Sequence, residues 1–110
     1  MFDRSSFDVA LLEARAGEAA RLLRALANER RLMILCQLSE GERSVGQLQD
    51  LVGLSQSALS QHLASLRQDQ IVSTRRDGQT IWYRIESQPA REIVNTLYNS
   101  FCRTDDCAGT

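Results

Sequence analysis

The sequence contains no long apolar run. Its longest, LMILC at residues 32–36, is far too short to cross a bilayer, and no secretory hydrophobic segment follows Met1. A cytoplasmic protein with no membrane partner is therefore expected. Cysteine is scarce as well: Cys36, Cys102 and Cys107 are too few, and odd in number, for a secreted disulfide framework. In a reducing cytosol any disulfide among them would be a signal rather than a staple. Histidine occurs once, as His62, and there is no C-x-x-C, which argues against a thiol enzyme needing an activating base and against a four-coordinate zinc site. No metal and no cofactor are expected. Lysine is absent, so all thirteen basic residues are Arg. Gene base composition can produce that bias, yet Arg is also the side chain suited to bidentate phosphate and base contacts.

What is present is one small domain. A chain of 110 residues, 43% hydrophobic and 25% charged, can bury a real but modest core, one that a partner would help to complete. The net charge of −1 conceals an uneven distribution, because residues 54–84 hold four Arg against two acids and are the one positive segment. This is a local anion-facing surface at most, not the charge of a strongly basic nucleic-acid protein.

Apolar spacing predicts five helices and one hairpin, a mainly α (α+β) fold. Residues 8–27 place Leu11, Leu12, Ala19, Leu23 and Leu26 at helical intervals, and residues 29–39 continue with Leu32, Leu35, Cys36 and Leu38 after Asn28 as N-cap. Gly41 breaks the pattern. Ser44 and Gln47 then fit an S-x-x-Q capping box opening a short helix through Val52, which Gly53 ends. Ser55 can cap the following helix, residues 56–69, and a last helix is expected over residues 88–102. Between them IVSTRRDGQTIWYRIE predicts a hairpin over residues 71–86, with Ile71, Ser73 and Arg75 on one side and Ile81, Tyr83 and Ile85 as an alternating apolar set. Asp77-Gly78 is its expected two-residue turn.

Two helices joined by VGLS, followed directly by a hairpin, have the layout of a winged helix-turn-helix, with residues 44–69 as the helix-turn-helix and 71–86 as a two-stranded wing. The second helix, LSQSALSQHLASLR, has Leu54, Ala58, Leu59, Leu63 and Leu66 on its inward face. Its other face carries Gln56, Ser57, Ser60 and Gln61, uncharged where a solvated helix usually carries ions. Ser and Gln on a surface helix can be there only to meet water. Beside a capped preceding helix and an Arg-bearing hairpin, they suit base readout: Gln pairs bidentately with adenine N6 and N7, and Ser reaches several base edges. The expected DNA-binding set is Ser55, Gln56, Ser57, Ser60, Gln61, His62 and Arg67, with Arg75, Arg76 and Gln79 around the wing tip.

Residues 25–85 resemble the ArsR/SmtB family of dimeric winged-helix repressors, most densely in ANERRLMIL, LSQSALSQHLASLR and RRDGQTIWYRI. The resemblance implies that residues 56–69 form the recognition helix, that the partner is double-stranded operator DNA, and that the first and last helices, 8–27 and 88–102, pair across a two-fold axis into a homodimer. Apolar surface argues the same way, since Ile93, Val94, Leu97, Tyr98 and Phe101 form a stripe broader than one neighbouring helix easily covers. Full coverage by residues 8–27 of the same chain is the alternative.

Many members of that family sense metals through a Cys motif on the helix before recognition, or through Asp and His on the last helix. This chain departs from both, since SVGQLQDLV holds no Cys and His62 lies in the recognition helix. Cys36 and Cys102, late in the second and last helices, instead resemble the sensing pair of the family's sulfide- and persulfide-responsive branch. That resemblance implies a reactive sulfur species or an oxidant as inducer, while Cys107 lies beyond the match, in the polar tail of residues 103–110. A metalloid held by the thiols is the alternative. Helix C-termini disfavour thiolates, and Asp105 and Asp106 add to this more than Arg103 offsets it, so slow peroxide chemistry is expected. A protein-binding adaptor is a further function class, which a gel shift lacking sequence dependence would favour.

Overall fold

The computed structural model describes residues 7–102. The elements run α1 (Val9–Leu26), α2 (Glu29–Leu38), β1 (Arg43–Ser44), α3 (Val45–Val52), α4 (Gln56–Gln68), β2 (Val72–Asp77), β3 (Thr80–Ile85) and α5 (Gln88–Phe101). Each helix starts where a short polar side chain can accept a backbone N–H from the first turn. Asn28 Oδ1 accepts from Arg31 at 3.1 Å, Ser55 Oγ from Ala58 at 3.2 Å and Ser87 Oγ from Ala90 at 3.2 Å. At α3 the capping box is complete, with Gln47 N–H on Ser44 Oγ at 3.2 Å and Ser44 N–H on Gln47 Oε1 at 3.1 Å. Gly53 closes α3 at φ 72°, a left-handed conformation that a side chain would strain, and only Leu54 and Ser55 then precede α4.

The core is wholly apolar among the described residues. Ile34, Leu35 and Leu38 of α2 meet Leu48 of α3, Leu59, Leu63 and Leu66 of α4, Ile71, Val72 and Ile85 at the base of the wing, and Ala90 and Val94 of α5. Leu54 and Ala58, also expected inside, are half-buried. The anticipated helices are all present.

The sheet differs from the expected hairpin in three ways. It has a third strand, β1, in the order β1-β3-β2, pairing Arg43 with Tyr83 and Ser44 with Trp82. Two residues are too short a strand to have a period of their own. The turn also lies one residue later than expected: Asp77 pairs with Thr80, leaving Gly78 and Gln79 as the loop, with positive φ at Gly78 alone. Finally, Ile71 precedes the strand, and Val72, Thr74 and Arg76 are the residues opposite Ile85, Tyr83 and Ile81. Burial of Val72 beside Ile85 sets this register, since a one-residue slip of β2 would turn Val72 to the face opposite Ile85.

Ala25 and Leu26 are the buried residues of α1, whereas Leu11, Leu12 and Leu23 are exposed, as are Tyr98 and Phe101 on α5. In the single chain α1 therefore does not cover the α5 stripe. Cys107 and the rest of the polar tail lie outside the described residues.

Candidate nucleic-acid interface

Inward packing of Leu59, Leu63 and Leu66 fixes the rotation of α4 and turns Gln56, Ser57, Ser60, Gln61 and Arg67 together to solvent. Ser55 Oγ is occupied by its cap and lies 3.5 Å from Ser57 Oγ, while no side-chain bond among the described residues claims Gln56, Ser60 or Gln61. The face is thus an array of free donors and acceptors on a helix anchored from behind. His62 is set apart from it. Half-buried, it accepts at Nδ1 a long hydrogen bond of 3.4 Å from Arg31 Nε, and Arg31 Nη1 donates to Ala25 O at 3.3 Å. His62 therefore faces α2, and Arg31, which sequence reasoning passed over, ties α4 to that helix.

Beside α4 the wing contributes a crevice of about 470 Å³ lined by Ser60, Ala64, Arg67, Gln68 and Tyr83. Tyr83 was legible only as a core-facing strand residue. Its phenol borders the exposed face of α4, and the aromatic-then-basic pair Tyr83-Arg84 is the one signal in the sequence that could have suggested it. At the wing tip Arg76 and Gln79 are exposed, with Arg76 Nε donating to Gly78 O at 3.2 Å. Arg75, expected alongside them, is paired with Glu42 and lies over the Trp82 ring.

The thiols lie on α2 and at the end of α5, two helices that pack against one another. Cys36 is half-buried, and Cys102 is exposed as the C-cap of α5, its N–H donating to Tyr98 O at 2.8 Å. Burial pushes the Cys36 thiol up from its ordinary value, and charge on Cys102 pushes it in the same direction. A raised pKa means less thiolate at neutral pH, and thiolate is the reactive form. Peptide-resolved mass spectrometry after a short pulse of iodoacetamide at pH 7 should find Cys102 labelled ahead of Cys36, with Cys36 catching up as the pH rises. Equal labelling at pH 7 would contradict this assignment.

Residues 28–74 match the family model described as bacterial regulatory protein, arsR family. The chain is 46% identical over 94 residues to the transcriptional activator HlyU of Vibrio cholerae, spanning 86% of this chain and 87% of that protein. The chain belongs to the ArsR family. The crystal structure of the transcriptional repressor BigR from Xylella fastidiosa superposes with a TM-score of 0.82 at 45% identity, covering 87% of this chain and 98% of that one. A homodimeric winged helix-turn-helix DNA-binding domain from Mycobacterium bovis, a possible ArsR-family regulator, aligns at TM-score 0.70 and 31% identity over 94% of this chain and 89% of its own. This ArsR-family chain is a transcriptional regulator and not an enzyme. Among its described residues no helix is long and apolar enough to cross a membrane.

Proposed function

We propose that this regulator is a homodimeric repressor whose affinity for a double-stranded operator is switched by Cys36 and Cys102 in response to reactive sulfur species or oxidants. The observation that supports the switch is the packing of α2 against α5, with half-buried Cys36 on the first helix and exposed Cys102 at the end of the second. Exposed Cys102 is the entry point. Its thiolate attacks the outer sulfur of a persulfide R–S–SH, taking that sulfur and releasing RSH. The Cys36 thiolate then attacks the Cys102 sulfur and expels HS⁻, giving a disulfide. If both thiols are first persulfidated, the same displacement gives a trisulfide. A direct disulfide needs Cα atoms within about 7 Å, and an added sulfur spans a wider gap. Mass spectrometry of protein treated with persulfide, peroxide, oxidised glutathione or a thiophilic metalloid, matched to operator binding, tests the switch. Release of DNA by the metalloid alone, with no sulfur bridge, would replace it.

The homodimer is supported by the exposed apolar residues of α1 and α5 and by the dimeric state of the Mycobacterium bovis domain. A two-fold arrangement would set two α4 helices about one helical turn of DNA apart. Gln56, Ser57, Ser60 and Gln61 then read bases, while Arg67, Arg76 and Gln79 meet the backbone. Gln61→Ala is expected to cost roughly 1 to 3 kcal/mol on the operator and little on random DNA, whereas Arg76→Ala should weaken both. Fluorescence anisotropy with the two duplexes measures this, and equal losses from Gln61→Ala would remove that face from base readout.

A further inference from the structure

Arg75 combines a position near the wing tip with the charge a DNA phosphate requires, yet the fold occupies it elsewhere. Its Nε lies 2.9 and 3.0 Å from the two carboxylate oxygens of Glu42, and its Nη2 lies 2.9 Å from Oε1. The guanidinium carbon stands 5.6 Å from the centroid of Trp82, its direct cross-strand partner, and Asp77 Oδ2 is 4.0 Å from Nη1. Two carboxylates and an aromatic face surround one cation, the environment that a phosphate would otherwise have to supply. The strand period puts Arg76 on the opposite side of the sheet, the side of Thr74 and Tyr83, and Tyr83 borders α4. Glu42 itself comes from the segment between α2 and β1. That segment therefore holds the wing twice, through the β1–β3 ladder and through the Glu42–Arg75 pair.

We infer that Glu42 is a positioning residue that withholds Arg75 from the DNA backbone and anchors the wing through it, leaving Arg76 as the phosphate contact of the hairpin. This rests on the DNA-binding reading above. Neutralising a phosphate releases condensed counterions, so each Arg that reaches the backbone steepens the dependence of log affinity on log salt by about 0.9. An Arg already matched by a carboxylate does not.

The test is the salt slope of the full-length protein on a short random-sequence duplex, followed by fluorescence anisotropy. Glu42→Gln should steepen the slope by about 0.9 per protomer, because Arg75 becomes available, and the double variant Glu42→Gln/Arg75→Gln should return it to the parental value. Arg76→Gln should flatten it by the same amount. Emission from Trp82, the chain's only tryptophan, should stay constant when the parent binds DNA and shift when the Glu42→Gln protein binds, since only there does Arg75 leave the ring. An equal shift in the parent counts against the clamp. An unchanged slope in Glu42→Gln, with Arg75→Gln flattening the slope as much as Arg76→Gln, overturns the inference and leaves the DNA-binding reading standing. A parent that binds no duplex at any salt overturns both.

Discussion

Phe101→Glu is expected to dissociate the proposed dimer and to weaken operator binding by roughly 150- to 20,000-fold. Phe101 is 77% exposed in the single chain, so the change removes nothing from the core and the monomer should keep its fold. In a symmetric interface each residue occurs twice, and burying one large apolar side chain is worth about 1.5 to 3 kcal/mol. Two copies supply about 3 to 6 kcal/mol, which is the quoted range in affinity. Leu11→Glu on α1, where the side chain is 63% exposed, should act in the same direction and is independent of any effect on the neighbouring Cys102. Analytical ultracentrifugation gives the mass and circular dichroism the fold. A Phe101→Glu protein that remains dimeric would place the two-fold contact elsewhere.

Cys36→Ser and Cys102→Ser should each bind the operator normally when reduced and lose the whole persulfide response. That response is about 5- to 150-fold in the parent if the coupling is about 1 to 3 kcal/mol. The mechanism proposed is mechanical. A sulfur bridge would clamp α2 to α5, and α2 reaches α4 through Arg31 and His62. Drawing α2 toward the last helix would then shift α4, or alter the spacing of the two α4 copies. Cys107→Ser should respond like the parent. Normal derepression of Cys36→Ser protein would sink the two-thiol mechanism and turn attention to Cys102 with Cys107 or to a metalloid.

The parts of the fold that were legible in the sequence are those fixed by neighbours along the chain. Asn28, Ser44 with Gln47, and Ser55 announce helix starts because each satisfies backbone donors only three residues away. The stripe of Leu59, Leu63 and Leu66 is equally local, and it determines which side of α4 is left to solvent. The readings that needed revision were decided by contacts distant in sequence. β1 exists only because β3 offers it a partner, and the turn slipped to Gly78-Gln79 because the Val72–Ile85 pairing dictated the register. Arg75 is claimed by Glu42, 33 residues earlier in the chain, a partner that strand periodicity does not indicate. Of the candidate site, the α4 residues were readable from periodicity, whereas the turn of His62 toward Arg31 and the place of Tyr83 beside Ser60 required the packed domain.

With β3 in the middle of the sheet, β2 is left as an edge strand whose outer backbone donors and acceptors have no neighbour in the sheet. Such an edge invites pairing with the same strand of another molecule. Here the outer half of that edge reads Arg75-Arg76-Asp77, exposed throughout, and two such strands paired antiparallel about Arg76 would set its guanidinium against its own copy. The exposed charge of Arg76 thus also works against edge-to-edge pairing. An apolar wing tip in its place would favour that strand-to-strand pairing.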